Sequence, residues 1–374
     1  MGEVLRRHVG RASTGVLLVS LLAAPAGAQQ VRVGDDLRVT LSGRIHVQFA
    51  TTSVDSAQGA PQPASEFVIR RARFTFDVVV NDLVSARMEP DYSTNLGAGR
   101  LTLRDAYVRL TFAPGLRATL GQFKRPLDLF QLASTTQFLV AERGGRIRGV
   151  DACGPLVAVC SYSNLAVGLL YADRDLGLML DGEAVPHRVR YAASVTNGEP
   201  FFAQETSSGK QLTGRLSVTP IPGVTVSANG AHKDYTHPTT AAADRAIAWG
   251  GDVEFGDYDA GFHLQAGLIG GDNWRVARSA PQDTTGVVAF LASQVITSYR
   301  QPMHGRWIVG LEPVARASWA DPDRSVARDD GWLVTPGVVL HLRGRSMVYV
   351  NVDLWLPKAG DSEYALVSQV SVNF

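Results

Sequence analysis

The chain has 374 residues, 45% of them hydrophobic and 19% charged, and its 36 basic residues nearly cancel its 35 acidic ones to leave a formal charge of +1. A balance of that kind gives no footprint of a nucleic-acid binder. The length fits either two ordinary domains or one large all-β barrel.

Taken in order, the chain opens with Arg6, Arg7 and Arg11, an apolar run from Val16 to Ala24, and Ala26-Gly27-Ala28 before Gln29. That is the layout of a secretory signal, with cleavage expected after Ala28. The run is well short of the roughly 20 residues that a membrane-spanning helix needs. Residues 1–28 take three Arg and one Glu with them, so the mature chain, residues 29–374, carries a formal charge of −1. No later segment is long and apolar enough to span as a helix. The mature protein is therefore secreted, periplasmic, or an outer-membrane barrel.

From Leu37 onward the sequence alternates. Leu37, Val39, Leu41, Ile45, Val47 and Phe49 share one face, and Arg38, Thr40, Ser42, Arg44, His46 and Gln48 the other. Period-two alternation specifies a strand with one apolar face, which is core in a soluble sandwich and lipid-facing in a barrel. Strands of this kind are expected at 37–49, 66–80, 83–92, 101–112, 116–122, 176–181 and 187–196, with nine more following up to residues 363–374, sixteen in all. Their connections alternate strictly. Short turns such as Asn81-Asp82, Pro114-Gly115 and Arg343-Gly344 exchange with longer loops at 50–65, 123–174, 234–245 and 270–284. Short turns at one rim and long loops at the other belong to an even-stranded transmembrane barrel of a Gram-negative outer membrane. A soluble sandwich has no reason to sort loop length this way. Residues 161–170 also look strand-like, but counting them breaks the alternation, so they are placed inside the long loop. No interdomain linker, fixed-period repeat or helical amphipathic segment stands out, and one domain fits residues 29–374.

The loop at 123–174 holds both cysteines, Cys153 and Cys160. Six intervening residues in an exported chain suit a local disulfide. No His cluster accompanies them to suggest a metal pair. The C-terminus alternates through Tyr364, Leu366, Val370 and Val372 to a terminal Phe374, an ending that resembles the signature read by the barrel assembly machinery.

Several motifs together resemble the phosphate-selective porin O and P family of Gram-negative outer-membrane channels. They are Arg70-Arg71-Ala72-Arg73, Leu103-Arg104-Asp105-Ala106-Tyr107-Val108, Pro114-Gly115-Leu116 with Gly121-Gln122-Phe123-Lys124-Arg125-Pro126, Glu142-Arg143 and Arg174-Asp175-Leu176-Gly177. The likeness weakens towards the C-terminus. It implies a sixteen-stranded barrel whose long third loop folds into the lumen and narrows it, a homotrimer in outer-membrane lipid, and passage of phosphate or related small anions. One departure stands out: the phosphate channels use basic ladders that include lysine, whereas this chain has only Lys124, Lys210, Lys233 and Lys358.

By alternation, the polar faces of the first five strands turn Arg38, Arg44, Arg71, Arg73, Arg87, Arg109 and Arg117 inward with Asp77, Glu89, Asp91 and Asp105, and the loop adds further Arg. Arginine in a narrow passage favours anions, and its fork suits phosphate or carboxylate oxygens. The expected pore-lining, anion-binding set is Arg71, Arg73 and Arg109 on the wall and Arg143, Arg146 and Arg148 in the loop. The competing expectation is that many of these pair with the acids and only brace the wall. Arg70 and Arg104 share parity with lipid-facing residues and are left out. Trp307, Trp319, Trp332, Trp355 and Tyr349 suit aromatic girdles, with Trp355 alternatively luminal. No G-x-S-x-G elbow or other nucleophile setting points to an enzyme, and no cofactor is expected. Neither His232 with His237 nor Asp321, Asp323, Asp329 and Asp330 has the spacing of a standard metal site. The expected function is a water-filled diffusion channel for small anions. A general non-selective solute porin, or a plugged barrel serving adhesion or anchoring, stands as the alternative.

Overall fold

The computed structural model describes residues 29–33, 37–53, 64–94, 99–145, 160–200, 209–236, 243–275 and 288–374. The expected signal at residues 1–28, and Arg146, Arg148 and Cys153, lie outside the described residues.

The alternating stretches become one antiparallel sheet in which each strand pairs with the next in sequence. It runs from β2 (Leu37–Thr52) and β3 (Ala64–Val79) to β16 (Met347–Pro357) and β17 (Glu363–Asn373). Residues Ala365 to Asn373 of β17 pair with Thr52 to Arg44 of β2, so the sheet closes on itself as a sixteen-stranded barrel without a free edge. Closure satisfies every ladder, which a bilayer demands of any spanning sheet. Phe67, Phe112, Leu212, Ile247, Trp249, Trp307 and Trp332 are exposed on the outer face, while polar groups such as Gln48, Arg73, Thr119, Ser298 and Gln369 are buried on the inner one. Tyr349 and Trp355 are fully buried and so belong to the interior, not to an outer girdle.

A further short strand, β1 (Gln29–Val33), was not foreseen. It pairs with residues 37–41 of β2, along the edge that β17 vacates when it ends beside Gly43. Among the short turns, Asn81 accepts from the backbone N–H of Leu83 and Val84, and Gly223 takes a φ of 80° that favours glycine.

The apolar core lies inside the barrel. The segment from Arg125 to Asp173, between β6 (Leu116–Lys124) and β7 (Arg174–Val185), contributes Leu127, Phe130, Leu139, Val140, Leu165, Leu169 and Tyr171. These pack with Ala248, Ile269, Phe290, Ile296, Val314, Leu333, Val339, Tyr349 and Trp355 from the far half of the wall. Within the segment, the strand-like stretch at 161–170 is a helix, α2 (Tyr162–Gly168). Tyr162, Leu165, Ala166 and Leu169 recur at the spacing of one helical face and are all buried. The Ser161 side chain caps the helix by accepting from the Asn164 N–H. A shorter turn of helix, α1 (Leu129–Leu132), is capped by Asp128, which accepts from Phe130 and Gln131.

Candidate functional site: a basic cavity beside the internal segment

Two irregularities in the ladders decide which arginines face the interior. Between β2 and β3 the register slips so that His46 faces Arg71 and Val47 faces Ile69, leaving Arg70 as an extra residue. Between β4 (Val84–Ser93) and β5 (Arg100–Ala113), Met88 faces Ala106 and Pro90 faces Leu103, so Glu89 meets both Arg104 and Asp105. A bulge places two consecutive side chains where alternation allows one. Arg70 therefore joins Arg71 on the carboxylate of Glu142. Arg104 turns towards Asp91, at 3.9 Å. The parity that put these two arginines towards lipid fails at the bulges.

Most of the interior arginines are neutralised. Glu89 is shared by Arg44 at 2.6 Å, Arg73 at 3.2 Å and Arg174 at 3.4 Å. Arg73 also reaches Asp91 at 2.7 Å, and Arg174 reaches Asp105 at 2.6 Å. Arg87 pairs with Asp77, Arg117 with Asp181 and Arg215 with Asp252. Four cations stand apart. Arg109, Lys124, Arg143 and Arg190 line the same cavity, and no carboxylate among the described residues pairs with any of them.

Aromatic, hydroxyl and carbonyl groups hold three of these side chains, Arg109, Lys124 and Arg143, instead. Arg109 donates its Nε–H to Thr119 at 3.0 Å and lies 5.2 Å from the ring centre of Tyr107. Tyr107 faces Gly121 across the ladder, where a φ of 125° and the nearby carbonyl oxygen of Ala106 leave no room for a side chain. Arg143 donates to the carbonyls of Phe130, Gln131 and Ala133 and sits 4.3 Å over the Phe138 ring. Lys124 donates to the carbonyls of Leu132 and Ala133. A ring face or a carbonyl orients a guanidinium without cancelling its charge.

The internal segment that carries Arg143 is anchored on both sides. Glu142 accepts from Gln48, Arg70 and Arg71 on the near wall. Arg316, paired with Asp353, donates to the carbonyls of Glu142 and Arg143 from the far wall. Ala141 donates to Asn351, and Tyr162 to Ser318. Burial alone raises a carboxyl pKa, yet Arg70 and Arg71 hold that of Glu142 well below the usual carboxylate range. Burial pulls Arg143 down to about 9, helped by the charge of Arg71. Burial pushes Asp128 up to about 7.

The basic cavity measures about 410 Å³ and is lined by residues from β2 to β9 (Gln211–Ile221) and by the segment. Twelve of its lining side chains are Arg or Lys and three are carboxylic. A second, larger cavity of about 750 Å³ lies among the short turns and the C-terminal Phe374, with four Arg and His341 against five carboxylates. Among the described residues no group of three or more His, Cys, Asp and Glu is placed to hold a metal ion.

Of the residues expected from sequence, Arg71, Arg73, Arg109 and Arg143 all line the basic cavity. Arg71 and Arg73 are buried and ion-paired, whereas Arg109 and Arg143 are not. Cys160 is fully buried and is not a free thiol. Arg190 was missed, and no signal in its neighbourhood distinguished it from other rim arginines.

A sequence model of the phosphate-selective porin O and P family matches residues 39–254, more than half of the chain. The chain belongs to that family. Among solved structures, this porin is similar to the anion-selective porin from Comamonas acidovorans, with a TM-score of 0.63 at 14% identity over 90% of this chain and all of that one. The outer membrane channel DcaP of Acinetobacter baumannii gives 0.60 at 13% identity, covering 91% of this chain and 99% of its own. OmpT of Vibrio cholerae gives 0.57 at 12% identity, covering 92% of this chain and 100% of its own. No curated protein matches by sequence. Family and fold together make the protein an outer-membrane porin, a diffusion channel.

Proposed function

We propose that the porin passes small anions through the basic cavity, with the internal segment as one wall of its narrowest part. The observation that carries this reading is the set Arg109, Lys124, Arg143 and Arg190, cations that line one cavity without a carboxylate partner among the described residues. Fixed positive charge in a confined passage lowers the barrier for anions and raises it for cations. Arg146 and Arg148 are proposed to extend the set, and Cys153 to bridge to Cys160 just ahead of α2. No catalytic role is proposed for any residue.

The reading is tested by the reversal potential of single channels in a potassium chloride gradient. An anion-selective sign is expected. A cation-selective sign overturns it, a zero potential favours a non-selective porin, and no steady current from folded protein favours a plugged barrel. Export by residues 1–28, assembly directed by Phe374 and a homotrimeric state in lipid belong to the same proposal. OmpT of Vibrio cholerae has a trimer form, and crosslinking of the purified porin in detergent checks the state here.

A further inference from the structure

Resting on the anion-channel reading, we propose that the basic cavity favours organic anions with an apolar body, such as a carboxylate on an aromatic ring, over inorganic phosphate. The first argument is the supply of donors. Arg143 commits its Nε–H to Phe130 and its Nη2 group to Gln131 and Ala133. Lys124 commits two N–H groups to Leu132 and Ala133, and Arg109 commits its Nε–H to Thr119. What remains is the outer edge of Arg109, the Nη1 of Arg143, one Lys124 N–H and the whole guanidinium of Arg190. The outer edge of Arg109 and the guanidinium of Arg190 are forks that suit the two oxygens of a carboxylate. Such donors serve phosphate as well, so the choice between the two anions is set by what surrounds the cations.

The second argument is the rest of the lining. Tyr107, Met179, Leu132 and Pro126 face the same cavity as the free cations. Met179 lies in the ladder row of Arg109, separated from it only by Thr119, and both neighbours of Arg109 in that direction are uncharged. An apolar strip beside a charge gains nothing from a small hydrated ion, but it removes the face of a ring from water. At about 410 Å³, against roughly 30 Å³ for one water in the liquid, the space also exceeds what phosphate fills.

The test adds sodium benzoate or sodium phosphate to single channels carrying chloride in planar bilayers and measures the concentration that halves the current. Benzoate is expected to act at least about threefold below phosphate in the wild type, and Met179→Gln or Leu132→Gln to narrow that ratio. Phosphate acting at or below the benzoate concentration overturns the proposal, as does a ratio that neither substitution moves. The reversal potential in potassium chloride alone reports separately on the anion-channel reading. An anion-selective channel that prefers phosphate defeats only the present inference.

Discussion

The two cavities share Arg44, Arg87, Glu89 and Ser134, yet one is strongly basic and the other balanced. In the larger one arginine meets acid: Arg300 reaches Asp259, Arg87 reaches Asp77, and His341 lies 2.6 Å from Glu312. In the smaller one four cations are held by rings, hydroxyls and carbonyls, or stand alone. The count of arginines thus matters less than what each one touches. The proposed selectivity rests on the cations whose partners are neutral.

The sharpest way to break this contrast is to release the segment that walls the basic cavity. Glu142→Ala leaves the buried Arg71 and the half-buried Arg70 without their carboxylate, and breaking a buried pair such as that of Arg71 costs about 3–5 kcal/mol. The segment should detach from β3, seen as larger and noisier single-channel currents with reduced anion preference. Next in size, Arg109→Ala combined with Arg143→Ala should lower the anion-to-cation permeability ratio about tenfold, or ~1.4 kcal/mol, while each single change gives part of that. An unmoved reversal potential in the double variant would remove these residues from the filter.

Smaller effects sharpen the comparison. Phe138→Leu keeps volume but removes the ring under Arg143, a contact of about 0.5–2 kcal/mol, and should lower the ratio a few-fold without altering conductance greatly. The pH response follows from Asp128. Burial holds its pKa in the docked segment at about 7, above the usual 3.8 of an aspartate, so the docked form binds the proton more tightly than the free chain does. Docking is then fully supported below about 4 and weakens as pH rises through 7. Current noise should grow between pH 5 and 8 in the wild type and stay flat in Asp128→Asn. Least of all, Glu312→Gln in the balanced cavity should leave the reversal potential nearly in place.

Much of the barrel was legible because period two leaves a trace in every strand: Leu37 to Phe49 announces its own two faces. The long third connection was legible by length and by its arginines. What alternation cannot show is a bulge. Strict alternation turns Arg70 and Arg104 towards lipid, because a single extra residue in β3 or β5 reverses parity without any change in composition. The helix α2 was hidden by Tyr162, Leu165 and Val167, which suit a strand as well, although Leu165, Ala166 and Leu169 carry the helical spacing. Pairing was the least legible. Whether Arg73 is quenched and Arg109 is not depends on which acids the register brings opposite, and Asp91 opposite Arg73 is a fact of the ladder.

The anchoring of the internal segment also sets an order of events. Ala141 bonds to Asn351, 210 residues later, and Glu142 and Arg143 are held by Arg316. Their partners lie far along the chain, and such distant contacts form slowly. Until β14 (Ile308–Asp321) and β16 are in place, the Glu142 side chain and its neighbours have only the near-wall partners Gln48, Arg70 and Arg71. A barrel that closes before the far anchors engage would pass through a wide, unfiltered stage, so maturation of selectivity should trail insertion into the membrane.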